Sequence, residues 1–166
     1  MADMIESTLQ SMSMEQKLGQ LFCIEVNSNT LNSAFEDTIS KYHFGNVGLF
    51  NTFSGTRQQI RQNNLEIERV ITKHCAGVKP IIAVDEEGGC SSQFQDGVTP
   101  TPGNFALGAT ENEDDAYACG WCIGSELCDL GINMAWAPVL DLCRNPHDPI
   151  VGARSFGDSP QLVARL

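Results

Sequence analysis

The sequence predicts an α/β fold built from parallel strands, and three observations support this prediction. Four short apolar runs that suit buried strands alternate with longer segments that suit helices. The runs are apolar almost without interruption, as expected for parallel strands that are covered on both faces. Polar and glycine-rich segments follow the third and fourth runs, at the strand ends where such folds bind their ligands.

The first part of the chain supplies two of the four strands. Ser13 and Gln16 form the pattern of a capping box, which predicts a short helix over residues 14–19. The elements that follow are a strand at 20–26, a helix at 31–42 and a strand at 45–50.

A long helix and the most apolar strand come next. The helix is predicted over residues 57–75, where one stripe carries Ile60, Ile67, Ile71 and His74. Pro80 breaks the helical pattern, and the run Ile81–Asp85 predicts the third strand.

The fourth step combines an amphipathic helix with a further strand. Five residues at intervals of three or four predict the helix, namely Ala116, Gly120, Ile123, Leu127 and Leu130. Gly131 ends this helix, and a strand at 132–140 runs into Asp141. Ser159 and Pro160 then have the pattern of an N-cap followed by proline at the first helical position.

Length and charge bound the function. The chain has 166 residues and 18.1 kDa, enough for one domain with a core. Its 21 acidic and 10 basic side chains give a net charge of −11, which argues against nucleic acid or an anionic membrane as partner. An acidic N-terminus and the lack of a long apolar run argue against a signal peptide and a membrane span, so we expect a cytoplasmic protein.

Seven cysteines are spread through apolar segments of the chain. A disulfide scaffold would be a shorter, loop-rich secreted chain, so reduced thiols that pack in the core are expected instead. Cys119 and Cys122 form a C-x-x-C pair inside a predicted helix, whereas a redox pair would stand at a helix start.

Two architectures fit four β-α steps. An open doubly wound sheet could be complete at this length, whereas an eight-fold barrel needs about 250 residues, so the chain would form about half of one. In both cases Asp85 and Asp141 follow strands and would share one rim, with Arg154 further along. Such residues suit the hydroxyl and carbonyl groups of a sugar, but acids at strand ends can equally cap loops and face water.

Several blocks in order decide between these alternatives. They are Glu15–Leu21, Gly45–Phe50, Ala83–Gly89, Thr101–Pro102, Ala106–Thr110, Gly131–Asn133, Ala137–Asp141, Arg144–Pro146 and Arg154–Pro160. Together they resemble glycoside hydrolase family 3, closest to the bacterial-type β-N-acetylhexosaminidases. The resemblance implies the N-terminal half, about four β-α units, of a TIM-type (β/α)8 barrel at residues 12–166, after a tail at residues 1–11.

The resemblance also implies roles for particular residues. Asp85 would hold sugar hydroxyls, Arg154 would contact the sugar, and Asp141 would support the site. Cys90 and Gln93 stand where the family has arginines, and a thiol cannot replace a guanidinium. Loss of one charge-assisted hydrogen bond would weaken sugar binding by about 1.5–3 kcal/mol.

The implied activity is hydrolysis of O-glycosyl bonds in β-N-acetylglucosaminides, with a β-linked N-acetylglucosamine saccharide as partner and no metal or cofactor. The family's nucleophile and acid/base group would lie beyond Leu166, so no catalytic residue is assigned within the chain and we expect it to be inactive alone. The alternative is a degenerate, non-catalytic half-barrel that binds sugar, associates with itself, or pairs with a complementary half-barrel. Exposed edges at its first and fourth strands would favour such association.

Overall fold

A four-stranded parallel sheet forms the centre of the molecule. The computed structural model describes residues 2–27, 31–50, 55–94, 96–145 and 147–166. The strands are Cys23–Val26 (β1), Asn46–Leu49 (β2), Ile81–Val84 (β3), Glu86–Gly88 (β4), Ser91–Ser92 (β5) and Met134–Ala135 (β6). The sheet has the order β1-β2-β3-β6, and all three pairs are parallel, while β4 and β5 form a separate antiparallel hairpin.

The strand order distinguishes the two predicted architectures. A doubly wound sheet reverses direction at a switch point, whereas a barrel adds each new strand beside the previous one. The parallel strands follow one another in chain order, and a helix lies between each pair. The fold is therefore a partial (β/α)8 barrel, as predicted.

The helices have sequence signals at their starts. They are Ala2–Ser11 (α1), Met14–Gly19 (α2), Ser33–Tyr42 (α3), Arg57–His74 (α4), Asn104–Thr110 (α5), Glu113–Asp129 (α6) and Pro160–Arg165 (α7). The predicted capping box of Ser13 and Gln16 is confirmed, and Thr56 and Gln59 form a second one before α4. Ser159 caps α7, with proline at its first position.

The core lies between the sheet and α3, α4 and α6. Its fully buried members include Val26, Ile39, Val47, Leu49, Ile60, Ile67, Ile71, Ile82, Val84, Leu127 and Leu130. The predicted isoleucine stripe of α4 is confirmed. His74 lies half-buried at the end of this helix, where its Nε2 is 3.1 Å from the Glu36 carboxylate of α3.

All four parallel strands are shorter than predicted, the first and the fourth by three residues or more. Residues 20–22 belong to turns after α2, where the amide of Phe22 donates to Gly19, so β1 begins only at Cys23. The fourth strand covers two residues instead of 132–140. The amide of Trp136 donates to Val84 O at 2.8 Å, and Pro138 then has no N–H with which to continue the ladder.

Other elements were not predicted. Helix α1 occupies the segment that was expected to be a tail, and α5, the β4–β5 hairpin and a 3-10 helix at Gly152–Arg154 lie in segments for which no helix or strand was predicted. The expectation of core cysteines is wrong for most positions: all seven thiols are unpaired, but only Cys75 is buried. Cys119 and Cys122 lie inside α6, as predicted.

Helix α6 buries only part of its predicted stripe. Ala116 and Leu127 are buried, whereas Gly120 is exposed, and the large side chains of Tyr117 and Trp121 are 74% and 66% exposed. These two aromatic residues help to line an apolar groove of about 450 Å³ between α5, α6, β6 and Leu166. The side of the sheet that ends in β6 therefore exposes apolar surface.

Two helical glycines give a matched test of packing. A Cβ at Gly108 of α5 would lie 1.7 Å from the carbonyl oxygen of Phe156, whereas a Cβ at Gly120 would meet nothing within 4 Å. We expect Gly108→Ala to lower the free energy of unfolding by about 1–3 kcal/mol, because backbone must shift to admit the methyl group.

Gly120→Ala is the control, and we expect it to raise the free energy of unfolding by about 0.5–1 kcal/mol through reduced backbone entropy. Urea titration followed by circular dichroism measures both variants. Equal effects of the two substitutions would show that α5 does not pack closely against Phe156.

Candidate functional site

Asp85 is the first polar residue after the third parallel strand. Its side chain is half-buried, and no group among the described residues donates a hydrogen bond to its carboxylate. Burial, followed by the negative charge of Glu87, raises the pKa of Asp85, whereas the charge of Arg154 acts in the opposite direction. The carboxylate is therefore an open acceptor that lies within the electric field of a nearby cation.

Arg154 is held by Glu87 through a bidentate ion pair. Its Nε donates to the two carboxylate oxygens at 3.1 and 3.0 Å, and its Nη2 donates to Oε1 at 2.7 Å. The Glu87 side chain is only 2% exposed, and that of Arg154 is 36% exposed. These hydrogen bonds raise the pKa of Arg154, so the guanidinium stays charged.

The main chain around Arg154 is also fixed. The buried side chain of Asn104, at the start of α5, donates to Arg154 O at 2.8 Å. Arg154 Nη1 donates to Ile150 O at 3.3 Å, and the Arg154 amide donates to Val151 O at 2.8 Å. The guanidinium therefore projects from an anchored turn.

Glu86 points to the other side of the hairpin and has a structural role. It is buried, and one carboxylate oxygen accepts from Ser92 Oγ at 3.0 Å and from the Gln93 amide at 3.1 Å. Burial raises the pKa of Glu86, and these hydrogen bonds partly offset that effect. Glu86 and Glu87 therefore have different partners, since Glu86 bonds within the hairpin and Glu87 bonds to Arg154.

Gly88 and Gly89 have positive φ angles of 78° and 59°, a conformation that glycine adopts at little cost. A Cβ at Gly89 would lie 2.6 Å from the Cα of Gly103, and the Gly89 amide donates to Thr101 O at 2.9 Å. The two glycines thus let the hairpin pack against the segment that leads into α5.

The structure does not join Asp141 to this pair. Its side chain is exposed and makes no hydrogen bond or ion pair within the described residues. Its main-chain carbonyl accepts from the hydroxyl of Ser155, the neighbour of Arg154. Asp141 is connected to the site through the backbone, and the expectation that its carboxylate shares a cavity with Asp85 stays a prediction.

The two positions that depart from the family pattern lie in or beside the hairpin. Cys90 is exposed in its turn, near enough to Arg154 to contribute to the raised pKa of that residue. The amide of Gln93 supports Glu86. Among the described residues, no group of three metal-ligating side chains forms, and no helix is both long and apolar enough to cross a membrane.

Sequence reasoning identified Asp85 and Arg154 but missed Glu87 and Asn104. The run of three acidic residues Asp85, Glu86 and Glu87 at the end of the third strand was an available signal, because it places further carboxylates next to Asp85. Nothing in the local pattern indicated that the third carboxylate would pair with an arginine 67 positions later.

The family comparison agrees with this geometry. The glycosyl hydrolase family 3 N-terminal domain matches residues 13–166. The chain belongs to glycosyl hydrolase family 3. The matched residues include both strands that flank the site and the whole Arg154 segment.

Named relatives in family 3 are much longer than this chain. Beta-hexosaminidase A of Pseudoalteromonas piscicida is 33% identical over 142 residues, which are 82% of this chain and 24% of that protein. A family 3 beta-N-acetylglucosaminidase structure from a Paenibacillus species has a TM-score of 0.88 and 36% identity, covering 94% of this chain and 30% of that one. A beta-N-acetylhexosaminidase structure from Beutenbergia cavernae has a TM-score of 0.78 and 28% identity. The match covers 93% of this chain and 48% of that one.

The raised pKa of Asp85 predicts a stability cost at the site. Because the folded pKa lies above the ordinary value of 3.8, ionised Asp85 destabilises the fold, and stability falls as pH rises from 3.8 through the folded pKa. We expect Asp85→Asn to melt at a higher temperature than the native chain at pH 7, with the difference shrinking as pH approaches 3.8.

Asp141→Asn is the control for removal of one negative charge from a chain of net charge −11. Because the Asp141 carboxylate is exposed, its loss should change the melting temperature much less. Differential scanning calorimetry across this pH range measures both variants, and a less stable Asp85→Asn chain at pH 7 would contradict the prediction.

Proposed function

We propose that this chain provides the sugar-binding part of a family 3 β-N-acetylglucosaminidase, an enzyme that hydrolyses O-glycosyl bonds of β-N-acetylglucosaminides. The observation that supports it best is the open carboxylate of Asp85 beside the ion-paired guanidinium of Arg154. Relatives whose names include beta-hexosaminidase and beta-N-acetylglucosaminidase support the same class of substrate.

The two side chains offer complementary hydrogen bonds to a sugar. An ionised carboxylate accepts from hydroxyl groups, and a guanidinium donates to hydroxyl or carbonyl oxygens. Asp85 therefore binds sugar hydroxyls, Arg154 binds an acceptor oxygen of the same sugar ring, and Asp141 supports the rim in this proposal. A neutral saccharide also suits a chain whose net charge of −11 would repel anions.

Hydrolysis with retention needs a nucleophilic carboxylate on one side of the glycosidic bond and an acid/base group on the other. Glu86 and Glu87 are committed to hydrogen bonds within the protein, and Asp85 is assigned to the sugar hydroxyls. The proposed nucleophile and acid/base group therefore come from outside residues 1–166. We propose that this polypeptide by itself binds the sugar without hydrolysing it.

Binding is tested by titration of the purified chain with N-acetylglucosamine, followed by NMR. We expect Asp85→Ala to weaken binding by about 1.5–3 kcal/mol, or roughly 10- to 150-fold in Kd, because hydrogen bonds to a charged group are lost. Asp37→Asn on α3 lies away from the site and should bind as the native chain does.

Hydrolysis is measured in parallel with an aryl N-acetyl-β-glucosaminide. Unchanged affinity of Asp85→Ala would refute the assigned role of Asp85. Turnover by the pure chain that is lost in Asp85→Ala would refute the proposal that this polypeptide does not hydrolyse the substrate.

A second candidate function, a non-catalytic module that associates with itself or with a complementary half-barrel, is favoured by the apolar groove. Tyr117 and Trp121 expose large aromatic surfaces there, and β6 forms an edge of the described sheet. Such surfaces are typical of places where another chain or segment packs.

Light scattering after size-exclusion chromatography tests this candidate. We expect the native chain to elute as a dimer or larger species, and Trp121→Asp to shift it toward the monomer by charging the groove. Leu65→Asp, on the outer side of α4 where Leu65 is 47% exposed, is the control and should leave the elution unchanged. A native chain that is monodisperse, monomeric and melts cooperatively would exclude the self-association form of this candidate.

A further inference from the structure

The Glu87–Arg154 pair is asymmetric in its exposure. The carboxylate is buried, with 2% of the Glu87 side chain exposed, while the Arg154 side chain is 36% exposed. Burying a carboxylate is costly, and two apolar side chains of similar volume often stabilise a fold as well as a buried ion pair does. A gain in fold stability therefore does not by itself explain why an ion pair occupies this position.

The contacts of Arg154 leave part of its donor capacity unused. A guanidinium has five N–H groups. Within the described residues, Glu87 engages the N–H of Nε and one N–H of Nη2, and Ile150 O engages one N–H of Nη1. One N–H on each terminal nitrogen has no acceptor among these residues, so two donors remain on a guanidinium that is held in place.

Asp85 lies near the same guanidinium but does not pair with it. The charge of Arg154 acts on the pKa of Asp85, yet the structure shows no ion pair between them, and Arg154 is directed to Glu87 instead. Besides Glu87, Asp85 is the carboxylate whose charge acts on the Arg154 guanidinium, so it is the competing acceptor once the Glu87 charge is removed. If Asp85 paired directly with Arg154, neither the Asp85 carboxylate nor the free N–H groups of Arg154 would remain available to a ligand.

We propose that Glu87 is a positioning residue, which fixes the Arg154 guanidinium away from Asp85 so that both remain available to bind one sugar ring. This inference rests on the proposed sugar-binding role of Asp85 and Arg154. Glu87 itself does not contact the ligand, because its oxygens are buried and occupied by Arg154. Asn104 assists by holding the Arg154 main chain.

Glu87→Gln tests the inference, since glutamine has nearly the same shape and lacks the charge. We expect the affinity for N-acetylglucosamine to fall about tenfold, as for the loss of one well-placed hydrogen bond to a charged group. Glu87→Asp keeps the charge on a shorter side chain and should recover part of the affinity. Thermal melting confirms that each variant is folded.

The pH profile of sugar binding separates positioning from general damage. The charged groups that act on Asp85 are Glu87 on the hairpin and Arg154 on the 3-10 helix, and the thiol of Cys90 in the hairpin turn and the carboxyl of Glu86 are the further titratable groups of this region. Because Glu87 raises the pKa of Asp85, its neutralisation should move the acidic midpoint of binding to lower pH in Glu87→Gln, but not in Glu87→Asp. A uniform loss of affinity without this shift would overturn the proposal.

A measurement without ligand distinguishes this inference from the proposed function. In the native chain the Arg154 Nε–H should exchange slowly with solvent in NMR spectra, and in Glu87→Gln it should exchange at least tenfold faster, as expected when its acceptor loses its charge.

Arg154→Lys provides a second test if Glu87→Gln does not fold. Lysine keeps the charge but cannot form the bidentate pair, so this variant should also lose affinity. Rapid exchange in the native chain would refute the positioning role. Slow exchange together with no sugar binding would refute the proposed function and the sugar-directed part of this inference, but not the fixed guanidinium.

Discussion

A buried carboxylate has to be paired, and the pairing of Glu87 with Arg154 connects two distant parts of the chain. One partner follows the third parallel strand and the other follows the fourth. Removing Arg154 would leave the buried Glu87 carboxylate without a counter-charge, which is far more costly than losing an exposed ion pair. This pair holds the Arg154 guanidinium in the region of Asp85.

The packing around the pair is built to bring these segments together. Strands β3 and β6 are neighbours, so their carboxyl ends meet at one edge of the sheet. Gly89 allows the hairpin to approach Gly103, and Gly108 allows α5 to approach Phe156. Asn104 then bonds to Arg154 O, so α5 connects the two segments that supply the charged side chains.

The surface beside α6 differs in polarity from the site at the strand ends. The groove beside α6 is lined largely by apolar groups and exposes Tyr117 and Trp121, while Glu87 and Asn104 line the part that adjoins the polar site. The chain covers 24% of one family 3 relative and 30% of another, so it corresponds to a minor part of each of those longer proteins. The groove and the polar site share residues, because Glu87 and Asn104 line the groove and also bond to Arg154.

The sequence by itself determined the succession of the four parallel strands along the chain, the long helices and the position of Asp85 after the third strand. These follow from local causes: capping residues such as Ser13, the isoleucine stripe of α4, and apolar runs bounded by glycine and proline. Residue identity also indicated Arg154 through the family resemblance. Strand lengths were less predictable, because the hydrogen-bond ladder, and not the apolar run, decides where β1 begins and β6 ends.

Only the tertiary structure decided which charged groups meet. The sequence places three carboxylates in succession at Asp85, Glu86 and Glu87, but it cannot name a partner 67 residues away. The same limit applies to Asp141, whose exposed carboxylate forms no hydrogen bond or ion pair among the described residues. Ion pairing depends on distances of about 3 Å, and such distances between remote segments are set by the packing of strands, glycines and helices around them.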